Sequence, residues 1–129
     1  MIILDTHVFL WYVLDDPQLP KPIRDRLKRK PEDAFVPSVC IWEAMLLAEK
    51  KRISLGSGRP ERHLKKYLQG SGFNEAPLTF EIAALSRTLA FEHEDPADRF
   101  IAATAHAMNA LLATSDRNLR NLSWVRLAY

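Results

Sequence analysis

Short apolar runs, each separated from the next by a stretch of helical periodicity, constrain this chain more than any other feature. The runs at residues 1–4, 34–36, 76–78 and 111–113 read as strands, and 125–127 as a last, edge strand. Strands this short and this uniformly apolar are covered on both faces, the pattern of a parallel sheet. The intervening stretches carry helix grammar. Residues 8–14 are apolar nearly all round, and Pro20 and Pro22 open a basic helix that ends before Pro31. Ser38 reads as the cap of a helix through about Lys51, with Trp42, Met45 and Glu49 one turn apart. A turn at Gly56-Ser57-Gly58 precedes a charged helix at 60–68, which Gly70-Ser71-Gly72 breaks. Thr79 caps a helix with Ile82, Leu85 and Leu89 on one face. Asp95-Pro96 starts the next, whose Ala102, Ala103, Ala105 and Ala107 allow close approach to a sheet. The expected fold is a single three-layer α/β/α domain over residues 1–129, with a parallel sheet of about five strands.

Composition narrows the class. Of the 129 residues 47% are hydrophobic and 26% charged, which suits one folded domain. No apolar run approaches the roughly 18 residues of a membrane span, and the N-terminus lacks the basic start of a signal peptide. The expected location is therefore cytoplasmic, with no membrane partner. Cys40, the single cysteine, sits among apolar residues and reads as an inert buried thiol. Charge is uneven: residues 1–66 hold thirteen Lys/Arg against nine Asp/Glu, and residues 67–129 five against seven. The basic clusters at 21–30 and 50–66 are either solvated helix faces or a surface for a polyanion.

In an open parallel sheet, ligands bind beyond the carboxyl ends of the strands. Asp5 follows Ile2-Ile3-Leu4, and Asp116 follows Leu112-Ala113-Thr114-Ser115, so both fall at that edge. Each is also open to a simpler reading, as the start of a turn or a helix cap. Glu43 lies at the edge of an apolar stripe with Val39, Cys40, Leu46 and Leu47. Burying a carboxylate there without a partner costs several kcal/mol, so Glu43 either pairs with Lys50, stands at an exposed edge, or has a functional partner. Asp95 before Pro96 has the form of an N-cap, and Asp98 then falls in the first helical turn, where the dipole favours an anion. Carboxylates about 5 Å apart repel by roughly 3 kcal/mol at an effective dielectric of about 20. A cluster of them persists only with protons or a cation among them. Oxygen donors of high charge suit Mg²⁺ or Mn²⁺, ions that serve phosphodiester cleavage.

Four segments resemble the PIN-domain ribonucleases, and within them the bacterial VapC-type toxins. They are Leu4-Asp5-Thr6-His7, Ser38-Val39-Cys40-Ile41-Trp42-Glu43, the block from His93 to Ala105 containing Asp95-Pro96-Ala97-Asp98-Arg99, and Leu112-Ala113-Thr114-Ser115-Asp116. They stand in the family's order and span nearly the whole chain. The resemblance implies Asp5, Glu43, Asp98 and Asp116 as an acidic quartet, with Thr114 and Ser115 in support. It also implies an RNA substrate, a Mg²⁺ or Mn²⁺ cofactor, a homodimer, and a cognate antitoxin in a larger toxin–antitoxin complex. The sequence departs from many relatives at Ala97, where an aromatic is common, and at Ser115, where an acid is frequent. Neither departure removes a metal ligand, so both bear on specificity more than on activity.

In the reading this gives, Asp5 and Asp98 hold the main metal, Asp116 completes the site, and Glu43 serves a second metal or the attacking water. Arg99 either holds a phosphate or pairs with Asp95 or Glu94. His7 and His93 are supporting or structural, and Trp11 and Trp42 are core or dimer residues. Two other readings remain: a PIN-like domain in RNA processing unrelated to toxicity, and a phospho-acceptor receiver module. A receiver expects adjacent acids after its first strand and a lysine after a late one. Asp5 stands alone, and no lysine follows Lys66.

Overall fold

The computed structural model describes residues 1–92 and 94–129. Strand β1 (Ile2–Leu4) sits inside a sheet that, among the described residues, has four strands. The others are β2 (Ala34–Pro37), β3 (Asn74–Ala76) and β4 (Leu111–Ala113). All pair in parallel in the order β3-β2-β1-β4. Successive strand residues point to opposite faces, and Ile2, Ile3 and Leu4 are all at most 1% exposed. Both faces of the sheet are therefore covered at β1, as its uninterrupted apolar run requires.

The helices are α1 (Thr6–Val13), α2 (Lys21–Arg29), α3 (Ser38–Glu49), α4 (Pro60–Ser71), α5 (Phe80–Thr88), α6 (Pro96–Ala107) and α7 (Arg117–Arg120). Helix α6 packs on β1, β4, α3 and α5, and its Ala97, Ala102, Ala103 and Ala105 are buried. Their small size is what lets the helix approach the sheet so closely. Thr79 caps α5 by accepting the Ile82 N–H at 3.2 Å. The basic α2 meets acids of its own neighbourhood: Lys21 with Asp25 at 2.6 Å and Arg24 with Asp15 at 2.8 Å. No helix among the described residues is long and apolar enough to cross a membrane.

Several boundaries differ from the sequence reading. Strand β3 starts two residues earlier, pairing Asn74, Glu75 and Ala76 with Phe35, Val36 and Pro37. An edge strand can leave polar side chains in water, so apolarity was a poor guide there, and Leu78 ends up 49% exposed. Helix α4 runs through Gly70 and stops at Gly72, whose φ of +78° is the left-handed conformation that glycine supplies at a helix end. Ser38 is the first residue of α3 and does not cap it; its hydroxyl donates to Glu75 Oε1 at 3.2 Å. The expected strand at 125–127 contributes one bridge, Leu127 with Leu112. Its ladder is two hydrogen bonds, Leu112 N–H to the Arg126 carbonyl and Ala128 N–H to the Leu112 carbonyl, each 2.8 Å.

Candidate active site

The strand order reverses at β1: the chain steps outward from β1 to β2 to β3, then returns to place β4 on the other side. Such a reversal opens a crevice beyond the carboxyl ends of the two strands that flank it, here β1 and β4. Asp5 follows one of these strands and Asp116 lies three residues past the other. The β1–β4 ladder, in which Leu4 pairs with Ala113, continues one step through the Asp5 N–H to the Ala113 carbonyl at 3.0 Å. That step sets Asp5 beside Thr114. The buried Thr114 hydroxyl donates to Asp5 Oδ2 and accepts the Asp116 N–H at 3.0 Å. One side chain thus ties the two strand ends together. Asp116 in turn caps α7, its Oδ1 accepting the Leu119 N–H at 3.1 Å.

The other two acids arrive on helices. Asp95 caps α6 by accepting the Asp98 N–H at 3.2 Å, which fixes Asp98 in the first turn. Burial pushes the Asp98 carboxyl up to about 8, helped by the charges of Asp95, Asp116, Asp5 and Glu43 in that order. Position in the first helical turn alone would favour the anion. Here desolvation and the surrounding carboxylates overcome it. Burial likewise raises Asp5, which is 5% exposed; the Thr114 hydroxyl and His7 oppose that, and Asp116 adds to it. Glu43, half-buried on α3, is raised by burial and by the charges of Asp5 and Asp95, with Thr6 and His7 opposing. These mutual effects bring all four sequence candidates into one electrostatic unit. Asp95, expected only as a cap, belongs to it as well.

The supporting candidates separate. Thr114 holds the cluster directly. Ser115 is exposed and shares a 2.8 Å hydrogen bond with the Tyr129 hydroxyl. Arg99 is buried, with Nε donating to the Ser86 carbonyl at 2.8 Å, Nη1 lying 3.7 Å from Glu94, and its guanidinium over the Phe91 ring. Of its two readings, the described contacts are those of the Glu94 ion pair. His7 leans on Trp11, with ring centroids 5.9 Å apart. His93 lies outside the described residues. Trp42, 58% exposed, is not a core residue. Cys40 is fully buried with its thiol raised well above the ordinary range by desolvation, as an inert thiol should be.

Two participants were missed in the sequence. Among the described residues the buried Thr6 hydroxyl has no partner in hydrogen-bonding geometry, and it lies where it favours the charged form of Glu43. Its position directly after Asp5 was the available signal. Arg120 donates to the carbonyls of Thr114 and Tyr129, each at 2.8 Å, and so secures the turn between Thr114 and Asp116 against the C-terminal segment. Nothing local in the sequence announces that closure.

The donor set suits a hard divalent cation. It consists of oxygen ligands, and at least one carboxyl is held back from ionising by burial first and by the charge of the others second. Among the described residues, though, no three His, Cys, Asp or Glu side chains already form a set that could hold a metal. The charge is assembled and the coordination geometry is not, so an ion would have to draw the carboxylates inward.

Solved structures share this arrangement of chain. A toxin–antitoxin complex from Klebsiella pneumoniae contains a chain 20% identical, with a TM-score of 0.67 over 100% of this chain and 98% of that one. FitAcB from Neisseria gonorrhoeae is 25% identical, at 0.66 over 98% and 96%. VapBC2 from Rickettsia felis, bound to a DNA fragment from its promoter, is 17% identical, at 0.66 over 98% and 97%. A search of curated proteins finds no match. The PIN domain, as a family, matches residues 2–125, a span that contains Asp5, Glu43, Asp98 and Asp116 together, and the chain belongs to the PIN-domain family.

Proposed function

We propose that this protein is a Mg²⁺- or Mn²⁺-dependent endoribonuclease, and that it acts as the toxin of a toxin–antitoxin pair. The observation that carries the nuclease reading is the gathering of Asp5, Asp98, Asp116 and Glu43 about the sheet's switch point, close enough for their charges to act on one another. Burial and the charges of Asp95, Asp116, Asp5 and Glu43 all disfavour the ionised form of Asp98, a cost that a divalent ion held among these acids would offset.

In this reading Asp5 and Asp98 hold the metal, with Asp116 completing the site. A bound ion supplies Lewis-acid polarisation of a phosphoryl oxygen. Thr114 fixes the Asp5 carboxylate in orientation, and Asp95 fixes the helix turn that presents Asp98. Glu43, a stronger base than an ordinary carboxylate because burial raises it, is suited to take a proton from the attacking water. The water oxygen bonds to phosphorus, the bond from phosphorus to the leaving oxygen breaks, and that oxygen takes a proton from solvent. The antitoxin partner is supported by the neighbours, whose structures are toxin–antitoxin assemblies. A homodimer would cover some of the apolar surface left by Trp42 and Phe80, which are 58% and 91% exposed.

The test uses purified wild type, Asp5→Asn and Asp98→Asn on single-stranded RNA and on DNA of the same sequence, with and without Mn²⁺. RNA cleavage that needs the ion and falls at least a hundredfold in each variant is expected. Full activity in either variant, or equal cleavage of DNA, would overturn the assignment.

A further inference from the structure

A cavity of about 560 Å³ opens between the segment before α6 and the segment from α7 to Trp124. Phe91, Glu92, Asn118, Asn121, Ser123 and Trp124 line it. Its walls are set by tertiary contacts. Trp124 Nε1 donates to the Ala90 carbonyl at 3.0 Å, and the Trp124 indole meets Phe91 edge to face, with ring centroids 5.2 Å apart. The Asn118 and Asn121 amides and the Ser123 hydroxyl have no hydrogen-bond partner among the described residues. The lining therefore offers aromatic surface and several solvent-facing neutral donors and acceptors that a ligand could engage in exchange for water. Its charged member is an acid, Glu92, which repels phosphate.

The position matters as much as the lining. Asn118 stands on α7, the short helix capped by Asp116, and Glu92 stands three residues before Asp95, the cap of α6. Two lining residues thus stand within three positions of caps that belong to the acid cluster. A ligand seated here while its other end lies at the acids must be uncharged, flat and rich in hydrogen-bonding edges, and joined to a phosphate. An unpaired nucleobase of an RNA strand meets each condition. Proteins that read single-stranded RNA splay such bases onto aromatic side chains and hydrogen-bond their edges.

We infer that this cavity is a base-selecting subsite that receives a nucleotide next to the cleaved bond, with the Asn118 and Asn121 amides reading its edge. The inference rests on the nuclease reading of the acid cluster. It predicts that base preference resides in α7 and the segment behind it, apart from the residues that do the chemistry.

The test measures binding without turnover. Fluorescence anisotropy with octamers of A, C and U is recorded on Asp98→Asn protein, alone and carrying Asn118→Ala or Asn121→Ala, with each fold verified by its melting curve. The background protein should favour one octamer, and at least one alanine variant should reduce that preference about tenfold, the scale of one amide–base pair. Asn118→Asp, which keeps the size and removes the donors, should reorder the three octamers. No preference in the background protein, or an unchanged ranking in all three variants, would overturn the subsite. Cleavage of mixed-sequence RNA by wild type is scored separately. Its absence would sink the nuclease reading, while the binding ranking still decides the cavity.

Discussion

Asp98 and Thr114 show how much of this site is decided by single side chains. A carboxyl whose folded value lies above its unfolded value binds its proton more tightly in the native state. The stability that proton brings is fully present below the unfolded value near 3.8 and is lost as pH rises to about 8. Metal-free protein should therefore lose melting temperature between about pH 4 and pH 8, with Asp98 a main contributor. Asp98→Asn should melt higher than wild type at pH 8 in EDTA, and the two should converge near pH 4. A gap that is independent of pH would contradict crowding as the cause. Thr114 makes the opposite case. Its hydroxyl serves Asp5 and the Asp116 N–H together, so Thr114→Val should leave the buried Asp5 carboxyl and the part-buried Asp116 N–H unmatched and cost about 1–3 kcal/mol for the first and less for the second. Thr114→Ser keeps the hydroxyl and should recover most of that in urea unfolding.

At the scale of elements, α6 joins the core to the chemistry. Its first turn presents Asp98, and its alanine face packs toward the sheet. Ala102 is 0% exposed, so Ala102→Leu would overpack the interface and should destabilise by about 1–3 kcal/mol. Because α6 also carries Asp98, RNA cleavage should fall in the same variant even at temperatures where it stays folded. Chemical denaturation together with an activity assay at 20 °C would check both, and full activity with reduced stability would show the acid cluster to be insulated from helix position. This helix was legible in the sequence because its cap, its proline and its small residues are local signals. Strand β3 was misplaced for the converse reason. Asn74 and Glu75 have no strand character of their own and pair because β2 leaves them an edge.

For the whole molecule, the strand order settles between fold readings that composition could not. A receiver module places its first strand between the second and third, whereas β1 here lies between β2 and β4. This order puts the β1 and β4 ends side by side and gathers like charge between them. A divalent ion that binds the gathered acids stabilises the native state by about 2.7 kcal/mol at a hundredfold excess over its dissociation constant. For a domain of this size that is a rise of roughly 10 °C in melting temperature. Wild type should show it with Mn²⁺, and Asp5→Asn with Asp98→Asn together should not. A wild-type melting curve indifferent to millimolar Mn²⁺ would count against a metal site.

The sequence by itself determined the alternation of strands and helices and the parallel class of the sheet, and it singled out four candidate acids, which the resemblance joined into one set. Those follow from local chemistry: uniform apolarity over three residues, a proline after a capping aspartate, a carboxylate on an apolar helix stripe. Only the tertiary structure decided that Asp95 adds its charge to the cluster, that Arg99 turns toward Ser86 and Glu94, and that Arg120 and Tyr129 close over the turn carrying Ser115. It also reduced the last expected strand to a single bridge. Each of these depends on a partner far away in the chain, and a side chain's charge or hydroxyl acquires its role from what the fold places opposite it.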